Sequence, residues 1–208
     1  MSRFVLASAS PARLGVLRTA GIEPVVRVSG VDEDALTASL GDSASPEDVV
    51  VALAQAKAEA VTSEFDDAVV VGCDSMLWIG GELHGKPHTV DVARDRWAEM
   101  AGRSGDLLTG HAVLRVVAGA VVSVAAACSS TTVHFSKPSA ADLEAYLASG
   151  EPLEVAGAFT LDGLGGWFVD RIDGDPSSVI GIGLPLVRRL LNEVGLSMAD
   201  VWSGSAGQ

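Results

Sequence analysis

The sequence predicts an α/β fold in which helices flank a mixed sheet. Short apolar runs alternate with cap-and-proline helix starts through the first part of the chain. Two long strand-like runs, Leu107–Val117 and Val121–Phe135, then lie next to each other around Ala118-Gly119. Adjacent long strands joined by so short a turn fit a mixed sheet and not a purely parallel doubly wound one. With 208 residues, 48% hydrophobic and 20% charged, the chain can bury a real core. One compact domain, with room for two lobes, is expected.

The elements follow in order. Arg3–Ser8 (RFVLAS) reads as a short buried strand. Ser10 and Pro11 then supply an N-cap and a first helical residue, and Gly21 is placed to end that helix. Pro24–Ser29 is a second strand, followed by an acidic loop over Asp32–Asp34. Ser45-Pro46 starts a helix that runs to about Ser63 and carries Lys57. Ala68–Cys73 (AVVVGC) is a buried strand that delivers Asp74 at its C-terminal end, where α/β proteins usually place chemistry. Gly80-Gly81 marks a hairpin-like turn. Thr89–Ala101 is helical in pattern, and Ser139 with Asp142 opens a helix toward Gly150. Glycines crowd 157–166, Gly166–Ile172 is strand-like, and Pro185–Val194 is a last amphipathic helix with a frayed tail after Met198.

Charge and composition exclude several classes. Fourteen Lys and Arg against 27 Asp and Glu give a formal charge of −13, which repels a duplex's phosphates, so no nucleic-acid partner is expected. A phosphate-bearing ligand must be small and held by local cations or a metal. Pro11 and Arg13 interrupt the N-terminal apolar stretch before a signal peptide's core can form. The most apolar segment, Val113–Cys128, contains Arg115 and Gly119 and falls short of the ~20 apolar residues of a spanning helix. A cytoplasmic protein without membrane association is expected. Cys73 and Cys128 lie in apolar runs and read as buried, reduced thiols.

Some motifs fail on their mechanics. Gly80–Lys86 has the spacing G-x-x-x-x-G-K, but Pro87 stands where a phosphate-cradling loop needs a Ser or Thr, and it keeps Lys86 out of the α region. Gly181-Ile182-Gly183 lacks the third glycine of a dinucleotide fingerprint and reads as a turn into the last helix. Gly85 and Pro87 preclude the helix that would bring His84 and His88 to one metal. His111 and His134 stand alone in the sequence, and neither Cys73 nor any serine has a neighbouring histidine to activate it.

Ser8-Ala9-Ser10-Pro11-Ala12-Arg13 is stronger. Two hydroxyls, a helix start and an arginine in the first turn make an anion site directly after a strand. Its company is Asp74, Glu33, Lys57 and Lys86: acids to hold a divalent cation and bases to hold phosphates.

These residues resemble the Maf family of nucleoside triphosphate pyrophosphatases, also called septum formation inhibitor proteins. The carriers are Leu6–Arg13 (LASASPAR), Val31-Asp32-Glu33, Ala56-Lys57-Ala58, Val71–Asp74, Gly85-Lys86-Pro87, Thr109-Gly110, Tyr146–Gly157 (YLASGEPLEVAG) and Gly183–Leu186. The resemblance implies a curved mixed sheet with helices forming two lobes about a central cleft, and often a homodimer. It implies hydrolysis of a nucleoside triphosphate between the α and β phosphates, giving a monophosphate and pyrophosphate, with Mg²⁺ or Mn²⁺. By family position, Asp74 is the catalytic carboxylate and Glu33 its acidic partner, both metal ligands. Lys86 is a further catalytic group, and Ser8, Arg13 and Lys57 hold phosphate. The family's older name carries the alternative of a nucleotide-binding regulator of septum formation without turnover.

Five positions depart from the family pattern. Ala12 replaces an arginine. Ser75 stands beside Asp74 where the thymidine and uridine triphosphate branch has threonine, and Asp162 stands where that branch has glutamine. A carboxylate only accepts hydrogen bonds, which suits a guanine edge and is closer to the 7-methylguanosine triphosphate branch. Glu154 and Val155 stand in place of the usual Asp-Lys.

Overall fold

A computed structural model of the chain describes residues 3–41 and 43–205. It is the α/β protein expected, with a seven-stranded mixed sheet and eight α-helices among these residues. The strands are β1 (Arg3–Leu6), β2 (Val25–Val26), β3 (Asp67–Ile79), β4 (Glu82–His84), β5 (Ser104–Val117), β6 (Ala120–Phe135) and β7 (Val169–Asp173). The helices are α1 (Pro11–Thr19), α2 (Glu33–Leu40), α3 (Pro46–Glu59), α4 (Val90–Met100), α5 (Ala140–Ala148), α6 (Pro176–Ile180), α7 (Leu184–Glu193) and α8 (Met198–Ser205). The sheet order is β2-β1-β3-β5-β6-β7, with β4 paired to β3. β1 is parallel to β2 and β3, whereas β3 with β4 and β6 with β7 are antiparallel.

The chain divides into two compact units. The first comprises residues 1–74, 109–129 and 181–208, the second 75–108 and 130–180. In the first, strand alternation sends side chains to two cores. Phe4, Leu6, Val69 and Val71 join Leu17 of α1 and Leu186, Leu190 and Leu191 of α7. Val5, Ala7, Val70, Ala112 and Leu114 face Ala54 and Ala58 of α3. The second unit has its own core around Trp97, which stacks edge-on with Phe135, Tyr146 and Phe168.

Four expectations are corrected. The acidic stretch is a helix start: Asp32 caps α2 by accepting from the Ala35 N–H at 2.9 Å, and Glu33 and Asp34 fill the first turn. Acidic residues there are favoured by the helix dipole, a signal that a charge run conceals. β3 does not end before Asp74 but continues to Ile79, because Leu77 and Ile79 keep the inward alternation and join the second core. The tail is helical as far as Ser205, the rest of the expected frayed segment lying outside the described residues: Ser197 and Asp200 form a reciprocal cap, and Val201 is buried, so α8 follows α7. Finally, α6 was not anticipated. Asp175 accepts from the Ser177 N–H at its start. The hairpin turn at Gly80-Gly81 is as expected, both residues having positive φ, of 65° and 89°. It leads into β4, so the G-x-x-x-x-G-K stretch is hairpin and exit loop.

Candidate active site

Three charged side chains of the first unit converge. Lys57 lies in the last turn of α3, where a cation complements the helix C-terminus. Its Nζ donates to Asp74 Oδ1 at 2.6 Å and lies 2.7 Å from Glu33 Oε1. The Lys57 and Asp74 side chains are 10% and 8% exposed, against 48% for Glu33, so solvent reaches the group from the Glu33 side. Asp74 Oδ2 is buried and has no hydrogen-bond partner among the described residues.

Backbone approach makes this contact possible. A Cβ on Gly72 would sit 2.1 Å from the Ala54 carbonyl oxygen, and one on Gly110 2.0 Å from that of Val50. Only glycine lets β3 and β5 come this close to α3, which sets the depth at which Lys57 meets Asp74. Asp74 also occupies a distinctive place on its strand. Pairing of β3 with β1 runs to Leu6↔Val71, and pairing with β4 starts at Leu77↔His84. Asp74 falls in the interval between these two partners.

A second group of the first unit surrounds Arg13. Ser10 caps α1, accepting from the Arg13 N–H at 3.4 Å. Arg13 Nη1 donates to Ser8 Oγ at 3.0 Å, and Nε donates to the Gly181 carbonyl at 2.9 Å. Ser8 is buried and also accepts from the Ser10 N–H. The expected union of Ser8 with Arg13 is therefore present, with Ala12 half-buried beside it. Burial pushes the Cys73 thiol up to about 11. Burial is the main cause, with smaller effects from the charges of Arg13, Asp74 and Lys57. At that value Cys73 is a protonated packing residue and not a nucleophile.

The remaining expected residues belong to the second unit, apart from the boundary. Ser75 directly follows Asp74 and is partly buried. Lys86 is exposed, with Nζ 3.7 Å from Glu154 Oε2, and His88 Nδ1 lies 3.7 Å from the other oxygen of Glu154. The backbone before Lys86 is held firmly, since the Gly85 carbonyl accepts from both Arg96 and the Gly157 N–H. Asp162 is exposed in the glycine-rich loop. Sequence reasoning gave Glu151 no role, yet its carboxylate organises that loop by accepting from the Thr160 hydroxyl and the Leu164 and Gly165 N–H groups. Burial alone would raise its pKa, but these donors together hold it below the usual carboxylate value.

Two histidines that stand alone in the sequence have partners in the fold. His134 Nδ1 lies 2.7 Å from Ser104 Oγ, and its Nε2 lies 2.8 Å from Asp173 Oδ2. A serine thus does have a histidine beside it, hidden by a separation of 30 residues. Arg171 Nη2 crowds the same Nε2 at 3.0 Å, and Ser104 and Asp173 are exposed, so this is a polar ladder across β5, β6 and β7. His111 is wholly buried in β5.

Two carboxylates on one ammonium, with one carboxylate oxygen buried and orphaned, fit a hard divalent cation that completes its shell with phosphate and water oxygens. No group of three or more His, Cys, Asp and Glu suited to a metal occurs among the described residues, so such an ion would need those outside oxygens. Also among them, no helix is long and apolar enough to cross a membrane.

Fold and site together define an α/β protein with a carboxylate–lysine centre and an arginine–serine anion group. The chain belongs to the Maf-like protein family, whose model matches residues 3–194. It is 69% identical over 210 residues to a nucleoside triphosphate pyrophosphatase of Rhodococcus opacus (strain B4), covering 99% of this chain and 98% of that protein. The corresponding protein of Nocardia farcinica (strain IFM 10152) is 68% identical over 205 residues, with 97% of each covered. That of Mycobacterium marinum (strain ATCC BAA-535 / M) is 55% identical over 213 residues, with 99% of each covered. Both carry the same name.

Proposed function

We propose that this chain is a nucleoside triphosphate pyrophosphatase that cleaves between the α and β phosphates. The observation that carries this reading is the buried Lys57 ammonium shared by Asp74 and Glu33, with Asp74 Oδ2 left open. The relatives' name supports the substrate class.

Lys57 holds Asp74 through Oδ1, leaving Oδ2 to accept a proton from the attacking water. The water oxygen bonds to the α phosphorus as the bond from that phosphorus to the bridging oxygen breaks, and pyrophosphate leaves. Arg13 and Ser8 take phosphate oxygens, offsetting the charge that develops on them. Mg²⁺ or Mn²⁺ held by Glu33 and Asp74 supplies charge neutralisation and a more acidic water. Lys86 toward phosphate, and Ser75 and Asp162 toward the base, are assigned on family position alone. The acceptor-only Asp162 favours a base edge rich in donors, such as that of guanine. A cytoplasmic homodimer completes the reading, resting on the family resemblance and on composition.

The test is a panel of triphosphates, including uridine, thymidine and 7-methylguanosine triphosphates, with Mg²⁺, Mn²⁺ or a chelator. Pyrophosphate and orthophosphate are assayed separately. Pyrophosphate and monophosphate in equal amounts, lost with chelator, are expected. Asp74→Asn should lower turnover by about 10²–10⁴-fold, the usual contribution of a general base. Orthophosphate release, or an Asp74→Asn variant of normal rate, would overturn the proposal.

A further inference from the structure

His111 and Arg13 hydrogen-bond to two ends of one short turn, residues 181–183. His111 lies in β5 with no exposed surface, and both ring nitrogens are engaged within the first unit. Nε2 lies 2.8 Å from the Gly183 amide nitrogen, and Nδ1 lies 2.9 Å from the Thr109 carbonyl oxygen. An amide N–H can only donate, so Nε2 accepts. The ring proton is then on Nδ1 and is donated to Thr109. This is a neutral imidazole whose only protein acceptor atom is spent on one backbone amide.

That amide belongs to the turn that receives Arg13. Gly183 is the N-cap of α7 and has no side chain with which to cap it. Two residues earlier, the Gly181 carbonyl takes the Arg13 Nε hydrogen bond. Gly181 has φ of 145°, and a Cβ there would meet Arg13 Cγ at 3.0 Å, so the arginine stem lies against bare backbone. The other end of the guanidinium reaches Ser8. Hydrogen bonds at both ends of the 181–183 backbone therefore link His111 to Arg13 and, through its guanidinium, to Ser8.

We propose that His111 is a positioning residue for phosphate binding, acting through the 181–183 turn on the orientation of Arg13. The proposal rests on the reading of Arg13 as a phosphate ligand. Without the Nε2 acceptor, the Gly183 N–H is left buried and unpaired, the turn shifts to satisfy it, and Arg13 loses its fixed direction.

The test uses isothermal titration of the full chain with inorganic pyrophosphate, with thermal unfolding and steady-state kinetics alongside. Arg13→Ala should weaken pyrophosphate binding about tenfold, the loss of one charge-assisted contact. His111→Leu should weaken it to a similar extent and raise KM more than it lowers kcat. The double variant should be no weaker than Arg13→Ala alone, because the histidine acts only through the arginine. His111→Gln, whose amide oxygen can accept from Gly183, should restore binding, whereas His111→Asn, which is too short, should not. If His111→Leu fails to fold, the Gln and Asn pair decides alone.

Equal affinity in Gln and Asn variants, multiplicative losses in the double variant, or wild-type affinity in His111→Leu would overturn the proposal. So would a wild-type chain that does not bind pyrophosphate. A wild-type chain that binds pyrophosphate but hydrolyses nothing would sink the enzymatic reading while leaving the His111–Arg13 coupling measurable.

Discussion

Lys57 Nζ and Asp74 Oδ1 meet at 2.6 Å with both side chains withdrawn from solvent, while the second oxygen of Asp74 is left without a partner. Such a pair is costly to break from one side only, because the surviving charge stays buried. Lys57→Met should destabilise the chain by about 3–5 kcal/mol. Asp74→Asn should cost less, since Lys57 keeps Glu33. The Lys57→Met/Asp74→Asn double variant should be more stable than Lys57→Met alone. Urea unfolding of the three variants measures this, and a double variant less stable than Lys57→Met would contradict the pairing.

The close approach of α3 to the sheet predicts a sharp contrast among glycines. Gly72→Ala and Gly110→Ala each place a methyl about 2 Å from a helix carbonyl, and should destabilise by ~1–3 kcal/mol through forced backbone movement. They should also disturb activity by moving Lys57. Gly15→Ala, in α1 with nothing within 4 Å of the added methyl, should instead stabilise by ~0.5–1 kcal/mol. Thermal melts of the three variants check the ordering.

Glu151 should make the Asp162 loop acid-sensitive. Its pKa is lowered in the fold, burial being outweighed by the Thr160, Leu164 and Gly165 donors. Its contribution is therefore full above the unfolded value, near 4.3. It is lost as pH falls through the lower folded value. Hydrogen exchange at the Leu164 and Gly165 amides, corrected for intrinsic rates, should lose protection in that acidic window. Glu151→Ala should abolish the protection at neutral pH. Protection that survives in Glu151→Ala would remove the carboxylate from this role.

Both cysteines should be chemically quiet. Burial, first of all, pushes Cys73 and Cys128 to about 11, with Glu47 adding to the shift at Cys128. At pH 8 only about one thiol in a thousand is then ionised. Iodoacetamide at pH 8 should label the native chain far more slowly than the urea-unfolded chain, as read by intact mass. Equal rates would contradict the burial.

The sequence by itself determined most of the element types, α2, α6 and α8 excepted, since period-two apolar runs and Ser-Pro or Ser-x-x-Asp starts are local signals that the tertiary structure left in place. It also singled out Glu33, Lys57 and Asp74 as residue types suited to phosphate and metal chemistry. It misread Glu33 as loop and Asp74 as a strand end, because an acidic run hides a helix cap and because a polar Asp-Ser pair hides a strand that continues. Only the tertiary structure decided that one ammonium serves both carboxylates, that Gly72 and Gly110 set the depth of α3, and that His111 reaches a turn 72 residues away. Contacts of that kind depend on how strands and helices stack, and no short stretch of sequence carries a record of its distant partners.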